Sequence, residues 1–171
     1  MAIKEVVMLG NPKLRERSYL IEDFNLDFVQ HLQDLKDTLT NLQETKKLGR
    51  AIAAPQIGIM KRLIFYQLPD KSFYMVNPKI TWKSEETINI WDSCYSFDIA
   101  FFVEIQRYKT IKCEYQDENG NLVFEDFSDD LSELVQHEID HLNGILATDH
   151  LKDVKKIIMR SEWERRFKKS E

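Results

Sequence analysis

Between Asn25 and Lys47 the apolar positions Val29, Leu32, Leu35, Leu39 and Leu42 recur at steps of three and four. That rhythm predicts an amphipathic helix with one stripe to lay on a sheet. The period then changes. "LGRAIAAPQIG" is punctuated by Gly49, Pro55 and Gly58 and reads as a loop with an extended centre. "RLIFYQ" and "FYMVNPKITW" read as strands joined by the turn "LPDKS", and "FFVEIQRY" and "TIKCEYQ" as two more. "DENGN", Asp117 to Asn121, is a hairpin turn into "LVFEDF". A second helix is expected from about Asp129 to Leu142, opened by a capping-box-like Asp130 and Glu133 and stopped by Gly144. The charged tail from Asp153 to Lys169 carries Val154, Ile157, Ile158 and Trp163 and reads as a last helix. Short strands with segregated helices make an α+β fold.

Composition narrows the class without changing this picture. A length of 171 residues fits one domain with a sizeable core, and 43% hydrophobic with 31% charged residues is ordinarily globular. The start "MAIKEVVMLG" lacks a long apolar core and carries Lys4 and Glu5, so it does not read as a secretory signal. No apolar run approaches the ~20 residues a membrane helix needs. A net charge of −5 argues against a general nucleic-acid binder. Cys94 and Cys113 are expected as free thiols, and the chain as cytoplasmic, with neither membrane nor specific nucleic acid as partner.

The candidate chemistry lies in "VQHEIDHLNG", which holds two of four histidines. On a helix His137 and His141 lie one above the other, so both imidazoles can reach one cation. Glu138 projects beside that cation, where it can take a proton from water. The competing reading is a charged helix face that happens to hold two histidines. Leu134, Leu142 and Ile145 speak against it, because they place the helix partly in the core. A third ligand must come from elsewhere. His31, His150, Cys94, Cys113 and several carboxylates are available. His150 lacks the glycine pattern that precedes a third histidine in some metalloproteases. Cys113 alternates with Ile111 and Tyr115 as an ordinary strand residue would, so spacing alone favours Cys94 only slightly.

Three boxes together resemble the peptide deformylase family from end to end: "GRAIAAPQ" (Gly49 to Gln56), "DSCYS" (Asp92 to Ser96) and "QHEIDH" (Gln136 to His141). "NPKLR" at Asn11 to Arg15 and "NP" at Asn77 and Pro78 also fit. The resemblance implies a single deformylase-like domain over residues 1–171, with small antiparallel or mixed sheets packed around a central metal-binding helix. An N-terminal amphipathic helix and a C-terminal helix flank it. It implies Cys94, His137 and His141 as metal ligands, Glu138 as the proton carrier, and Gln56 with the backbone N–H of Tyr95 as oxyanion donors. The implied cofactor is one divalent metal ion, ferrous iron first, with zinc, nickel or cobalt able to replace it. The implied partners are nascent or short N-formylated peptides, with the ribosome as a further candidate.

The chain departs from the family pattern at four places. Ala51 stands where the first box usually has its second glycine, and Asp92 and Ser93 stand where a glutamate and a glycine usually precede the cysteine. "FDIAFF" lacks the family's proline and its substrate-holding arginine. Asp92 keeps the charge and can pair with Arg107. Ala51 is less benign if a positive φ or a close backbone approach is needed there. Three rival readings follow: a same-fold hydrolase acting on another acyl amide, a zincin-type protease, and a metal-binding homologue that has lost turnover. The protease is disfavoured because so short a chain has no second lobe to hold a cleft. Glu138 and Gln56 speak against the last, since neither is needed to hold a cation.

Overall fold

Leu63, Ile64, Phe65 and Tyr66 form an unbroken apolar run, which fits a strand buried on both faces. The computed structural model, which describes residues 3–168, places them in that setting. The elements run α1 (Leu26–Lys46), β1 (Ala51–Ala53), β2 (Leu63–Gln67), β3 (Ser72–Lys83), β4 (Thr87–Asp92), β5 (Phe101–Tyr108), β6 (Thr110–Gln116), β7 (Leu122–Ser128), α2 (Asp129–Leu142), β8 (Ile157–Met159) and α3 (Arg160–Phe167). Two sheets result, one of five strands ordered β1-β2-β3-β6-β7 and one of three ordered β4-β5-β8. Every strand pair is antiparallel. The architecture is the expected α+β one.

Period-two alternation sorts side chains to the two faces of the larger sheet. Ile52, Leu63, Phe65 and Val76 meet Phe28, Leu35, Leu39 and Leu42 of α1. Ala51, Ala53, Ile64, Tyr66 and Met75 face the other way, onto Leu134, Val135, Ile139 and Leu142 of α2. Contacts of α2 with β5 as well put this helix between the two sheets. Its buried faces carry His137, Glu138 and His141.

α1 matches its sequence pattern, with Asn25 accepting a hydrogen bond from Phe28 N at 3.1 Å as the N-cap. One stripe position differs. Val29 is exposed, and Phe28 takes the buried place one residue earlier, which continues the three-four spacing through Leu32 and Leu35.

Two expectations are corrected. The tail is not helical from Asp153: Ile157–Met159 pairs with Phe101–Val103 as a third strand, and the helix starts only at Arg160. An open strand edge on β5 needs main-chain partners, and an extended segment supplies them where a helix cannot. Lys169, the expected end of that helix, lies outside the described residues. The capping box is also absent, since the N-cap of α2 is Ser128, without a side-chain hydrogen bond. Asp130 and Glu133 instead reach across to Arg50, a charged partner that outbids a local backbone N–H.

Candidate metal centre and active site

α2 carries His137 and His141 one turn apart, and the short helical turn Tyr95–Phe97 between β4 and β5 brings Cys94 to them. The ligand atoms of these three buried residues all lie within 4.8 Å of one another. Nε2 of His137 and Nε2 of His141 are 3.1 Å apart. Two imidazole nitrogens held about 2.0–2.1 Å from one cation in tetrahedral geometry would be about 3.3 Å apart, so the pair fits a shared ion. A thiolate and two imidazoles leave one coordination position open, as a catalytic site requires. Cys113, the other free cysteine, is in the β6 core, where burial pushes its thiol up to about 12. His150 pairs with Asp140 at 2.7 Å and is not in the cluster, and His31 stays on α1.

The carboxylate of Asp92 lies 2.9 Å from Nδ1 of His137. An ionised carboxylate can only accept, so Nδ1 carries a proton and Nε2 is the ring nitrogen left for a cation. Asp92 in turn accepts from Nη2 of Arg107 at 2.9 Å, while Nη1 of Arg107 donates to Asp140. Burial alone would raise the Asp92 carboxyl, but His137 and Arg107 prevail and hold it well below the usual range. Burial likewise opposes a charge on His137, and Asp92 outweighs it, raising that imidazole. His141 is driven down, first by burial and then by His137.

Glu138 is 4% exposed, and its Oε2 has no partner among the described residues. Burial, helped by Asp92 and opposed by His137, pushes its carboxyl up to about 7. Gln56 sits on a short helical turn after β1. Its Oε1 accepts from Ala53 N at 2.9 Å, which leaves its NH2 group directed at Ser96 Oγ, 3.3 Å away. Tyr95 opens its own turn, so its backbone N–H has no partner within that turn. The side chain of Tyr95 has a structural part as well. Its hydroxyl donates to Leu48 O, and its ring fills the space a Cβ at Gly49 would take. Gly49 also has φ +90°, which a side chain tolerates poorly.

Gln56, Cys94, Tyr95, His137 and Glu138 line one cleft of about 310 Å³, and His141 adjoins it through Cys94 and His137. Three of the departures now have local explanations. Ala51 is a buried β1 residue and is not among the positive-φ positions. Ser93 needs no positive φ either, and its hydroxyl donates to Phe101 O at 2.6 Å. Asp92 keeps the pair with Arg107. The sequence reading missed two features of the wall. Glu133 and Arg50 line the cleft together, and a position four residues before His137 was the available signal. Arg160 and Trp163 of α3 also line it, and nothing local in the sequence points there.

A model of the polypeptide deformylase family matches residues 3–157. The chain belongs to that family. A peptide deformylase of Brachyspira hyodysenteriae is 31% identical over 168 residues, covering 94% of this chain and 87% of the relative. A peptide deformylase of Thermotoga maritima is 33% identical over 157 residues, covering 91% of each. The crystal structure of peptide deformylase from Thermotoga maritima superposes with a TM-score of 0.81 at 30% identity, covering 90% of this chain and all (100%) of that one. A Synechococcus elongatus peptide deformylase crystallised with actinonin gives 0.82 at 26% identity, covering 90% of this chain and 81% of that one. The deformylase fold is therefore present with both sheets and the central helix, and Cys94, His137 and His141 form a potential metal site within it.

Proposed function

We propose that this chain is a peptide deformylase, a metal-dependent hydrolase that removes the formyl group from N-formyl-methionyl peptides. The observation that carries the reading is the meeting of Cys94, His137, Glu138 and Gln56 in one cleft of a family member, with His141 clustered on Cys94 and His137. Cys94, His137 and His141 would hold one divalent cation, iron(II) first, with zinc, nickel or cobalt as replacements. Such a cation supplies Lewis acidity and brings the pKa of a water to about 7.

The side chains divide the remaining work. Glu138 takes the proton of the attacking water and delivers it to the leaving amine; buried and raised towards neutrality, it is suited to both transfers. Gln56 Nε2, fixed because Oε1 is held by Ala53, faces the formyl oxygen as negative charge develops there. The N–H of Tyr95 is the second donor. One such donor is typically worth about 2.7–4 kcal/mol of barrier. Asp92 and Arg107 set the tautomer and direction of His137.

Nascent N-formylated peptides are the corresponding substrates, with the ribosome as a candidate partner and the cytoplasm as the place of action. Among the described residues no helix is long and apolar enough to cross a membrane. The test is turnover of formyl-Met-Ala-Ser by anaerobically purified, iron-loaded protein beside Glu138→Ala. The variant should keep its metal and lose about 10²–10⁴-fold in rate. A metal-loaded wild type that leaves the formyl group in place would reject the reading.

A further inference from the structure

The family match ends at residue 157, yet the chain continues into the cleft. β8 lies antiparallel to β5 with Met159 opposite Phe101 and Ile158 opposite Phe102. β5 follows directly on the Cys94 turn, so this pairing sets the start of α3 beside that turn. Arg160 N donates to Ala100 O at 2.9 Å, and Arg160 Nε donates to Ile99 O at 2.6 Å. The guanidinium lies over the Phe102 ring, 4.7 Å from its centroid. Trp163, three residues on and so on the same helix face, stacks on Phe102 with ring centroids 4.7 Å apart. Trp163 also contacts Phe167, which contacts Trp91. Arg160 and Trp163 thus form one wall of the cleft that holds Cys94, His137 and Glu138.

Two features distinguish this arrangement from a surface arginine at rest. Ile99, whose carbonyl receives Nε, has φ +51°, a conformation that is an outlier for a β-branched residue. Such strain is held only where surrounding contacts impose it, and it concentrates at ligand-binding sites. The guanidinium is also oriented before any ligand arrives. Nε is committed to Ile99, one face of the guanidinium plane to Phe102, and Nη1 leans on Glu164 at 3.3 Å, which leaves Nη2 uncommitted among the described residues. "FDIAFF" carries no cation of its own, and here one reaches it from a segment far along the chain.

We propose that Arg160 is a substrate-positioning residue, binding a carboxylate or carbonyl oxygen of the peptide downstream of its formylated residue, with Trp163 as the apolar wall beside it. The inference rests on the deformylase reading and adds a contact outside the family-matched segment. A planar donor with a fixed stem loses little rotamer freedom on binding, which favours a charge-assisted contact over a diffuse one. The contact acts on holding the peptide and leaves the proton transfers to Glu138.

The test compares wild type, Arg160→Ala, Arg160→Lys and Arg160→Gln at matched metal content, with formyl-Met-Ala-Ser and its C-terminal amide. Affinity for N-acetyl-Met-Ala-Ser, measured by calorimetry, supplies a readout independent of turnover. Arg160→Ala should raise KM and weaken the acetyl peptide by about tenfold or more, with kcat within about twofold. Arg160→Lys should restore part of the affinity. An effect confined to the free-acid peptide identifies the carboxylate, and an effect on both peptides identifies a main-chain carbonyl. If Arg160→Ala unfolds for want of the Ile99 anchor, Arg160→Gln, whose amide can still donate to that carbonyl, carries the same expectation. Unchanged KM and unchanged acetyl-peptide affinity in a folded variant overturn the proposal. Failure of the deformylase reading would look different: no formyl release by any protein, with peptide binding still dependent on Arg160.

Discussion

The carboxylate of Asp92 lies 2.9 Å from Nδ1 of His137 and, through Oδ2, 2.9 Å from Nη2 of Arg107. One acidic group therefore orients a candidate metal ligand from behind and is itself fixed by a buried guanidinium. Replacing it by alanine leaves His137 free to turn and Arg107 buried with Asp140 as its remaining acid partner. Asp92→Ala should weaken metal binding by about 10–100-fold, the usual effect of losing such a support. A chelator-competition titration reads this directly. Native affinity in a folded Asp92→Ala protein would remove Asp92 from the site.

Cys94 and Cys113 are both buried and free, but only Cys94 lies with the two histidines. Elemental analysis of Cys94→Ala should show the metal largely lost, and Cys113→Ala should retain it while losing some stability. Equal metal content in the two proteins would reject Cys94 as a ligand.

Glu133 adds a pH signature. Burial, with Asp92 next, pushes its carboxyl from 4.5 up to about 7 although Arg50 opposes the shift from 3.2 Å. A group raised in the folded state contributes stability that is complete below its ordinary value and is lost as pH rises through the folded one. Glu133 should therefore weaken the fold increasingly between about pH 5 and pH 8. Glu133→Gln does not titrate, so its thermal midpoint should gain on wild type over that interval. For a chain of this size a gain of 1 kcal/mol corresponds to about 2–4 °C. A difference that stays flat with pH would show that Arg50 keeps Glu133 charged throughout.

Gly49 and Gly120 both have positive φ, +90° and +83°, but only Gly49 lies against a side chain that a Cβ would overlap. Gly120→Ala should cost about 1 kcal/mol or slightly more from backbone conformation alone. Gly49→Ala should cost clearly more, because the Tyr95 ring must move. It should also lower turnover, since Tyr95 follows Cys94 directly. Denaturant melts of the two variants separate these terms, and equal losses would mean that the Tyr95 contact carries no weight.

The amino-acid sequence by itself determined a good deal of this protein. The step of three and four in α1, the apolar run of β2, the alternation in β5 and β6, the turn at Asp117 to Asn121 and the pairing of His137 with His141 on one face all depend on neighbours within a few residues. Periods of that kind survive in a linear string because side-chain direction repeats every 3.6 or 2 residues. The three boxes were legible for the same reason, each being a short local arrangement.

What the tertiary structure alone decided depends on approach between distant segments. Whether Asp130 and Glu133 cap their own helix or turn to Arg50 was settled by β1 arriving beside α2. Whether Ile157–Met159 is helix or strand was settled by an open edge on β5, since an unpaired row of N–H and C=O groups rewards an extended partner more than local propensity rewards a helical turn. Arg160 reached the cleft by that pairing. Its place there is a consequence of sheet register, which no periodicity within its own helix records.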